Sequence, residues 1–178
     1  IDEGQDFQDK WLRDLEITVK DENEGMLYIF YDDNQNLMST SANYISGLPQ
    51  AKHRLTRNCR NTKSIFKKAK KFYVGGYVMA IGPEGKSPII NTYKSMLDLR
   101  TIMGERTGVL CKGEKIKPGD IAVLVPDSNF LNKLYESAGI HLGKYQVTNA
   151  ENPDREKPVV DTIRRFKGLE KPVILLVM

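Results

Sequence analysis

Acidic residues occur at two places where the sequence predicts the end of a strand. Asp2 and Glu3 follow a single apolar residue, and Asp32 and Asp33 follow the apolar run MLYIFY at 26–31. One carboxylate of such a pair can help to hold Mg²⁺, and the next can orient and deprotonate an attacking water. The spacing therefore indicates magnesium-nucleotide chemistry, although an acidic surface turn explains either pair alone.

Other polar residues could complete a site for phosphoryl transfer. Gln35, just past Asp33, could sense a γ-phosphate or the attacking water. Arg60 precedes a predicted helix, and an arginine there could stabilise the charge that develops during transfer. Gly168 allows close backbone approach to a ligand, and Glu170 could accept a hydrogen bond from a ribose hydroxyl. A loop capped by its own side chains, a surface arginine and a routine turn are the ordinary alternatives.

Helices and strands alternate in the predicted order of elements. Apolar spacing predicts helices over residues 7–19, after the capping residues Asn61 and Thr62, near 94–103, and over 128–140 with Ser128 as cap. Strands are predicted at 26–33, 52–58, 88–93, 120–126, 159–163 and 172–178. Continuous apolar strands separated by helices indicate an α/β fold with a mostly parallel sheet and helices on both faces. Ligands bind at the carboxyl ends of the strands in such sheets.

Four segments, in the order DEGQD, DDNQ, LTRNCRNT and DTIRRFKGLE, resemble motifs II, III, IV and V of superfamily 1 DNA helicases of the UvrD/Rep type. The resemblance is to the short-insert branch, which is often linked to nuclease-related domains. It implies a RecA-like, P-loop NTPase-type sheet with flanking helices, and two lobes with ATP between them. Residues 1–50 would end the first lobe, and residues 51–178 would form most of the second, without the last motif.

The resemblance also implies roles for individual residues. Asp2 would be the Mg²⁺ carboxylate, Glu3 the catalytic base, and Gln35 the residue that couples γ-phosphate to nucleic acid. Arg60 would be an arginine finger from the second lobe. The remaining implied contacts are Gly168 with phosphate, Glu170 with ribose, and Thr162, Arg164 and the aromatic Tyr44 with single-stranded DNA. The family usually has His where this chain has Arg164, and an aromatic soon after the motif III glutamine.

A RecA-like ATPase needs a glycine-rich phosphate loop, and the family has it upstream of DExQ. The segment AIGPEGKS at 80–87 matches that loop only loosely. Pro88 and Ile89 follow at once and predict a strand instead of the required helix, and Pro83 removes a donor N–H. We therefore expect the phosphate loop upstream of Ile1, a chain that is a fragment of a longer helicase, and no ATPase activity from the fragment alone.

Charge is unevenly distributed along the sequence. Residues 1–33 hold 11 acidic and 3 basic residues, whereas the rest holds 12 acidic and 24 basic residues. No Asp or Glu occurs between Asp33 and Glu84, and residues 52–71 contain nine Lys or Arg. This pattern predicts contact with a polyanion, or alternatively a solvated helix face. It supports a second hypothesis, a non-catalytic nucleic-acid-binding module that uses the 52–71 stretch.

A third hypothesis, a metal nuclease built on Asp2, Glu3 and Asp6, is disfavoured because two-metal nucleases need more converging carboxylates. The 178 residues contain no apolar run near the roughly 20 residues of a membrane span and no targeting segment. Two separated cysteines and two histidines argue for reduced thiols and against a zinc site. We expect a cytoplasmic protein that uses ATP and Mg²⁺ and has no membrane partner. Its expected partners are single-stranded DNA, or duplex DNA with a single-stranded tail, and the rest of the parent helicase.

Overall fold

A computed structural model of the chain describes residues 1–19, 25–35, 45, 47, 53–138 and 141–178. The chain divides into two units, Ile1–Ile89 (unit 1) and Ile90–Met178 (unit 2). The fold class is mixed α/β with small sheets, which confirms the predicted class at that level. The predicted boundary between residues 50 and 51 lies outside the described residues. No helix in the described ranges is long and apolar enough to cross a bilayer.

Helices α1 (Asp9–Ile17) and α2 (Lys63–Ala69) lie in the described part of unit 1. Its strands β1 (Arg57–Asn58) and β2 (Met79–Ala80) form a two-stranded parallel sheet. Short 3₁₀ turns occupy Gly4–Asp6 and Asp33–Gln35. The predicted cap of α2 is confirmed, because Thr62 Oγ1 accepts a hydrogen bond from the Ile65 N–H at 3.3 Å.

Two predictions of burial in unit 1 are wrong. Helix α2 has no buried residue, although the spacing of Ile65, Phe66, Ala69 and Phe72 predicts an apolar stripe, and Ile65 and Phe72 are exposed. Residues 26–32 carry no strand assignment, and Phe30 is exposed. The segment is nevertheless held beside residues 1–4, because Phe30 N–H donates to Ile1 O at 2.9 Å and Gly4 N–H donates to Phe30 O at 2.8 Å. An apolar run predicts burial only if other parts of the chain cover it.

Unit 2 contains helices α3 (Met96–Gly108) and α4 (Ser128–Ala138), with a π-helical segment at Val109–Gly113 and a 3₁₀ turn at Pro118–Asp120. Its strands are β3 (Ile121–Val125), β4 (His141–Leu142), β5 (Tyr145–Gln146), β6 (Val159–Thr162) and β7 (Val173–Leu176). Strands β6, β3 and β7 form a parallel sheet in that order, and β4 pairs with β5 antiparallel. The helices at 94–103 and 128–140 and the last three predicted strands are thus confirmed near their expected bounds.

Strand β3 lies at the centre of the unit 2 core. All five of its residues are buried, which is typical of a parallel strand covered on both faces. Successive side chains point to opposite faces of a strand. Accordingly, Val123 and Val125 pack in one cluster, and Ala122 and Leu124 pack in another. The first cluster also contains Leu99 and Met103 of α3, Leu131 and Leu134 of α4, and Leu142, Val160 and Val177.

Two further predictions in unit 2 need correction. Residues 88–93 carry no strand assignment, and Ile89 and Ile90 are exposed, so their β propensity is not matched by a pairing partner in the described ranges. The cap of α4 is Asp127 instead of Ser128, because Asp127 Oδ1 accepts a hydrogen bond from the Phe130 N–H at 2.8 Å. The helix therefore begins at Ser128. Gly139, a residue type that commonly ends helices and therefore the predicted end of α4, lies outside the described residues.

Candidate functional site

Asp2 and Glu3 lie at the entry of the first 3₁₀ turn, with both residues exposed. Glu3 has a left-handed backbone (φ 52°, ψ 42°), a conformation that costs a non-glycine residue about 1 kcal/mol. Asp2 Oδ1 accepts a hydrogen bond from the Glu3 N–H at 3.0 Å, and the Asp6 N–H closes the turn onto Glu3 O at 2.9 Å. Neighbouring carboxylates are thus presented at the surface on a closed turn.

Gln5 joins this turn to the segment that contains Asp32. Its side chain is only 2% exposed. Gln5 Nε2 donates to Glu3 Oε2 at 2.6 Å, and Gln5 Oε1 accepts from the Asp32 N–H at 3.0 Å. The amide is suited to this position because it carries both a donor and an acceptor. One buried side chain therefore fixes Glu3 relative to the Asp32 backbone, which lies 27 residues after Gln5.

Asp32 extends the connection to Gln35. Its Oδ1 accepts from the Asn34 N–H at 2.9 Å, and its Oδ2 accepts from Gln35 Nε2 at 2.9 Å. Hydrogen bonds consequently run without interruption from Glu3 through Gln5 and Asp32 to Gln35. We refer to Asp2, Glu3, Gln5, Asp32 and Gln35 as the carboxylate–amide cluster. It brings together three sequence-predicted site residues, namely Asp2, Glu3 and Gln35.

Asn34 ties the cluster to a loop much later in the chain. Asn34 Oδ1 accepts from the Val74 N–H at 2.8 Å, and Asn34 Nδ2 donates to Val74 O at 3.0 Å. Both backbone polar groups of Val74 are therefore paired by one side chain, as they would be by a neighbouring strand. The loop that follows α2 is held at a fixed distance from the carboxylate–amide cluster.

The oxygen donors of the cluster are of the type that Mg²⁺ prefers. No group of three or more His, Cys, Asp and Glu side chains in the described ranges converges closely enough to hold a metal by itself. Mg²⁺ is usually bound by one or two carboxylates together with water and substrate phosphates, so it does not need such a group. Asp2 and Glu3 fit that requirement in number and chemistry.

Arg60 and the AIGPEGKS segment both lie near the start of α2 in unit 1. Arg60 is exposed and lies two residues before Thr62, the cap of the helix. As predicted, the AIGPEGKS segment does not open a helix. Instead, Pro83 O accepts from the Lys63 N–H at 2.9 Å, and Glu84 O accepts from the Ser64 N–H at 3.1 Å. These carbonyl groups satisfy the first N–H groups of α2.

In unit 2, a buried carboxylate lies near the end of strand β6. Asp161 is fully buried, and it accepts hydrogen bonds from the Thr162 N–H at 2.7 Å and the Ala150 N–H at 2.9 Å. Arg165 Nη1 lies 3.9 Å from its Oδ1. The nearby Tyr135 hydroxyl donates to Val160 O at 3.2 Å. Burial, and then the negative charge of Asp161, raise the pKa of Tyr135 above its ordinary value.

The turn after β6 carries the remaining predicted site residues. Thr162 is buried, and its Oγ1 accepts from the Arg165 N–H at 3.2 Å, so its hydroxyl orders the turn. Arg164 and Glu170 are exposed. Gly168 has φ +82°, which other residues adopt only at a cost, so glycine is needed for this backbone path. Tyr44, the predicted stacking residue, lies outside the described residues.

The sequence analysis missed the residues that connect the site. Gln5 was visible only as an amide beside acids, because its partner Asp32 is remote in sequence. Asn34 and Asp161 were visible as polar residues next to predicted strands, without an indication of what they bind. Comparison with known proteins identifies no family, because no family model and no curated protein matches this chain. A function can therefore be inferred only from the residues themselves.

Proposed function

We propose that this chain is part of an ATP-dependent DNA helicase or translocase of superfamily 1, with the RecA-like fold of that class. The observation that supports the proposal is the hydrogen-bonded connection from Glu3 through Gln5 and Asp32 to Gln35. A carboxylate base and a glutamine that responds to phosphate must act together in such an enzyme. The parent protein would couple ATP hydrolysis to movement along single-stranded DNA in the cytoplasm.

In this proposal each residue of the cluster has one task. Glu3, held by Gln5, accepts the proton of the attacking water. Asp2 would hold Mg²⁺, which neutralises phosphate charge when bound. Gln35 shares Asp32 with Gln5, so a displacement of its amide is transmitted through hydrogen bonds to Glu3. Nucleotide binding and the base are thereby linked.

The other proposed roles belong to residues outside this cluster. Arg60 would act as the arginine finger, and Gly168 and Glu170 would contact phosphate and ribose. Thr162 and Arg164 would lie toward single-stranded DNA, where the Thr162 hydroxyl orders the turn and Arg164 is exposed. A guanidinium in place of the usual histidine would contact a backbone phosphate.

The test is ATP hydrolysis by the full-length gene product that contains this chain. We expect hydrolysis that depends on Mg²⁺ and is stimulated by single-stranded DNA. Glu3→Gln should lower kcat by about 10² or more, since it removes the general base. Asp14→Asn, which alters an exposed carboxylate on α1, is the matched control and should leave kcat unchanged.

The isolated 178-residue chain should show no Mg²⁺-dependent turnover, because AIGPEGKS, the segment that loosely matches a phosphate loop, does not open a helix. Robust turnover by the isolated chain, abolished by Glu3→Gln, would contradict this expectation. Full-length protein without DNA-stimulated hydrolysis would contradict the helicase proposal.

A second candidate function is a nucleic-acid-binding module that never uses ATP. It is favoured by the exposure of Lys63, Lys67, Lys68, Lys70 and Lys71 on α2 and the turn after it. Binding of single strands that weakens with salt, with no effect of nucleotide on the full-length protein, would support this candidate over the helicase.

A further inference from the structure

The segment that follows α2 exposes aromatic and basic side chains side by side. Phe72 is 84% exposed and Tyr77 is 70% exposed, although both are large and apolar enough to be expected in a core. Lys70 and Lys71 of the same segment are exposed too, as is Arg54. We call Arg54, Lys70, Lys71, Phe72 and Tyr77 the basic–aromatic surface.

Lys70 lies over the Tyr77 ring, and Arg54 lies against the residue before it. Lys70 Nζ lies 5.8 Å from the centroid of the Tyr77 ring, within the range of a cation–π interaction. The Arg54 guanidinium packs against Gly76, where a Cβ atom would displace it. Glycine at position 76 therefore lets Arg54 approach the backbone next to Tyr77. The result is an exposed ring with one cation over it and a second cation beside the preceding residue.

The charge around this surface indicates the chemistry of its partner. The sequence has no Asp or Glu between Asp33 and Glu84, whereas residues 52–71 contain nine Lys or Arg. A polyanion is therefore the complementary partner. An exposed ring next to cations favours a single strand, because unpaired bases can stack on aromatic side chains while phosphates contact the cations.

We propose that the basic–aromatic surface binds single-stranded nucleic acid. Tyr77 stacks against a base, Phe72 offers a second ring, and Arg54, Lys70 and Lys71 contact phosphates. This inference deepens the proposed function, on which it rests for the class of partner. It assigns single-stranded nucleic acid to residues that lie outside the four segments resembling helicase motifs.

The surface is also connected to the carboxylate–amide cluster. Val74 lies within the same loop, and Asn34 holds both of its backbone polar groups. Asn34 N–H donates to Asp32, which is joined to Glu3 through Gln5. A strand bound at Tyr77 therefore acts on a loop that is hydrogen-bonded, residue by residue, to the proposed catalytic base.

The test measures binding of fluorescently labelled oligothymidylate to the full chain by anisotropy, without nucleotide, between about 50 and 200 mM salt. We expect Tyr77→Ala to weaken binding by about 5- to 150-fold, the range for loss of one stacked base. Tyr77→Phe keeps the ring and should bind within about twofold of the wild type. Lys70→Ala should weaken binding and lower the salt slope by about 1.

Lys144→Ala is the matched control, because Lys144 Nζ lies 5.1 Å from the Tyr145 ring in unit 2, outside the basic stretch. It should bind like the wild type. Equal affinity of Tyr77→Ala and the wild type overturns the proposal. So does failure of the wild type to bind at low salt, or binding of polyglutamate or duplex DNA as tight as that of oligothymidylate. The binding assay contains no nucleotide. A failure to bind therefore does not contradict the proposed ATP hydrolysis, which is tested separately.

Discussion

Units 1 and 2 hold their important residues in place by different means. In unit 2, β3 is buried along its whole length, and helices α3 and α4 contribute leucines to the same core. In unit 1, α2 buries no residue, and the carboxylate–amide cluster is positioned by side-chain hydrogen bonds. Hydrophobic burial is non-directional, whereas hydrogen bonds require particular atoms at particular distances. Unit 2 should therefore tolerate polar changes better than apolar truncations, and unit 1 the reverse.

The largest effect is expected from a core truncation in unit 2. Leu99→Ala removes a side chain that is 4% exposed in the main cluster, and should lower the free energy of unfolding by about 2–5 kcal/mol. Leu97→Ala, on the same helix but 68% exposed, should cost about 0.5 kcal/mol or less. Hydrogen exchange of β3 amides measures both. Equal effects would show that the core does not stabilise unit 2.

The next-largest effect is expected from loss of a side-chain bridge in unit 1, and it tests whether the two units are stabilised independently. Gln5→Ala removes the bridge between Glu3 and Asp32 and leaves the Asp32 N–H without its side-chain acceptor, which should cost about 1–3 kcal/mol locally. Faster exchange of the Asp32 amide would report this loss. Gln8→Ala is the control, because the Gln8 side chain makes no capping hydrogen bond at α1. A change in β3 exchange in Gln5→Ala would break the comparison, since it would couple the units.

A smaller, pH-dependent effect is expected at Tyr135 in unit 2. Tyr135→Phe removes the hydrogen bond to Val160 O and should cost about 1 kcal/mol near neutral pH. The pKa of Tyr135 is raised in the folded chain above its ordinary 10.0, so the unfolded chain loses this proton first. The associated stability is complete below pH 10 and is lost as pH rises further.

Denaturant titrations from about pH 9 to 11 should therefore show a shallower decline for Tyr135→Phe than for the wild type. Parallel declines would mean that Tyr135 ionises equally easily in the folded and unfolded chains. That outcome would contradict the inference that burial and the charge of Asp161 make the Tyr135 hydroxyl harder to ionise.

The smallest effect is expected at Asn34 in unit 1. Asn34→Ala removes two exposed hydrogen bonds to Val74 and should cost about 0.5 kcal/mol of local stability, the low end of the range for such bonds because water can replace them. Asn34→Asp keeps the acceptor for the Val74 N–H and loses the donor to Val74 O, so it should have part of that effect. Exchange of the Val74 amide is the measurement. Unchanged protection in Asn34→Ala would show that the loop is ordered without the cluster.

Periodicity in the sequence correctly predicted several elements whose pattern is set by residues close together in the chain. Helices α1, α3 and α4 and strand β3 were predicted within a few residues of their bounds. The buried strand at 26–33 and the strand at 88–93 were predicted from apolar runs as well. They failed because burial and pairing require partners elsewhere in the chain, which local composition does not specify. The cap of α4 was misplaced by one residue because Asp127 and Ser128 are both good caps.

The sequence by itself determined the order of the elements, the acidic and basic halves, and the residue types from which a nucleotide site could be built. Only the tertiary structure decided that Gln5 meets the Asp32 backbone 27 residues away and that Asn34 pairs with Val74. It also decided that β3 lies between β6 and β7. These contacts close long loops, and their formation depends on the free energy of the whole fold. Secondary-structure propensity depends on near neighbours in the chain, so it cannot specify these long-range contacts.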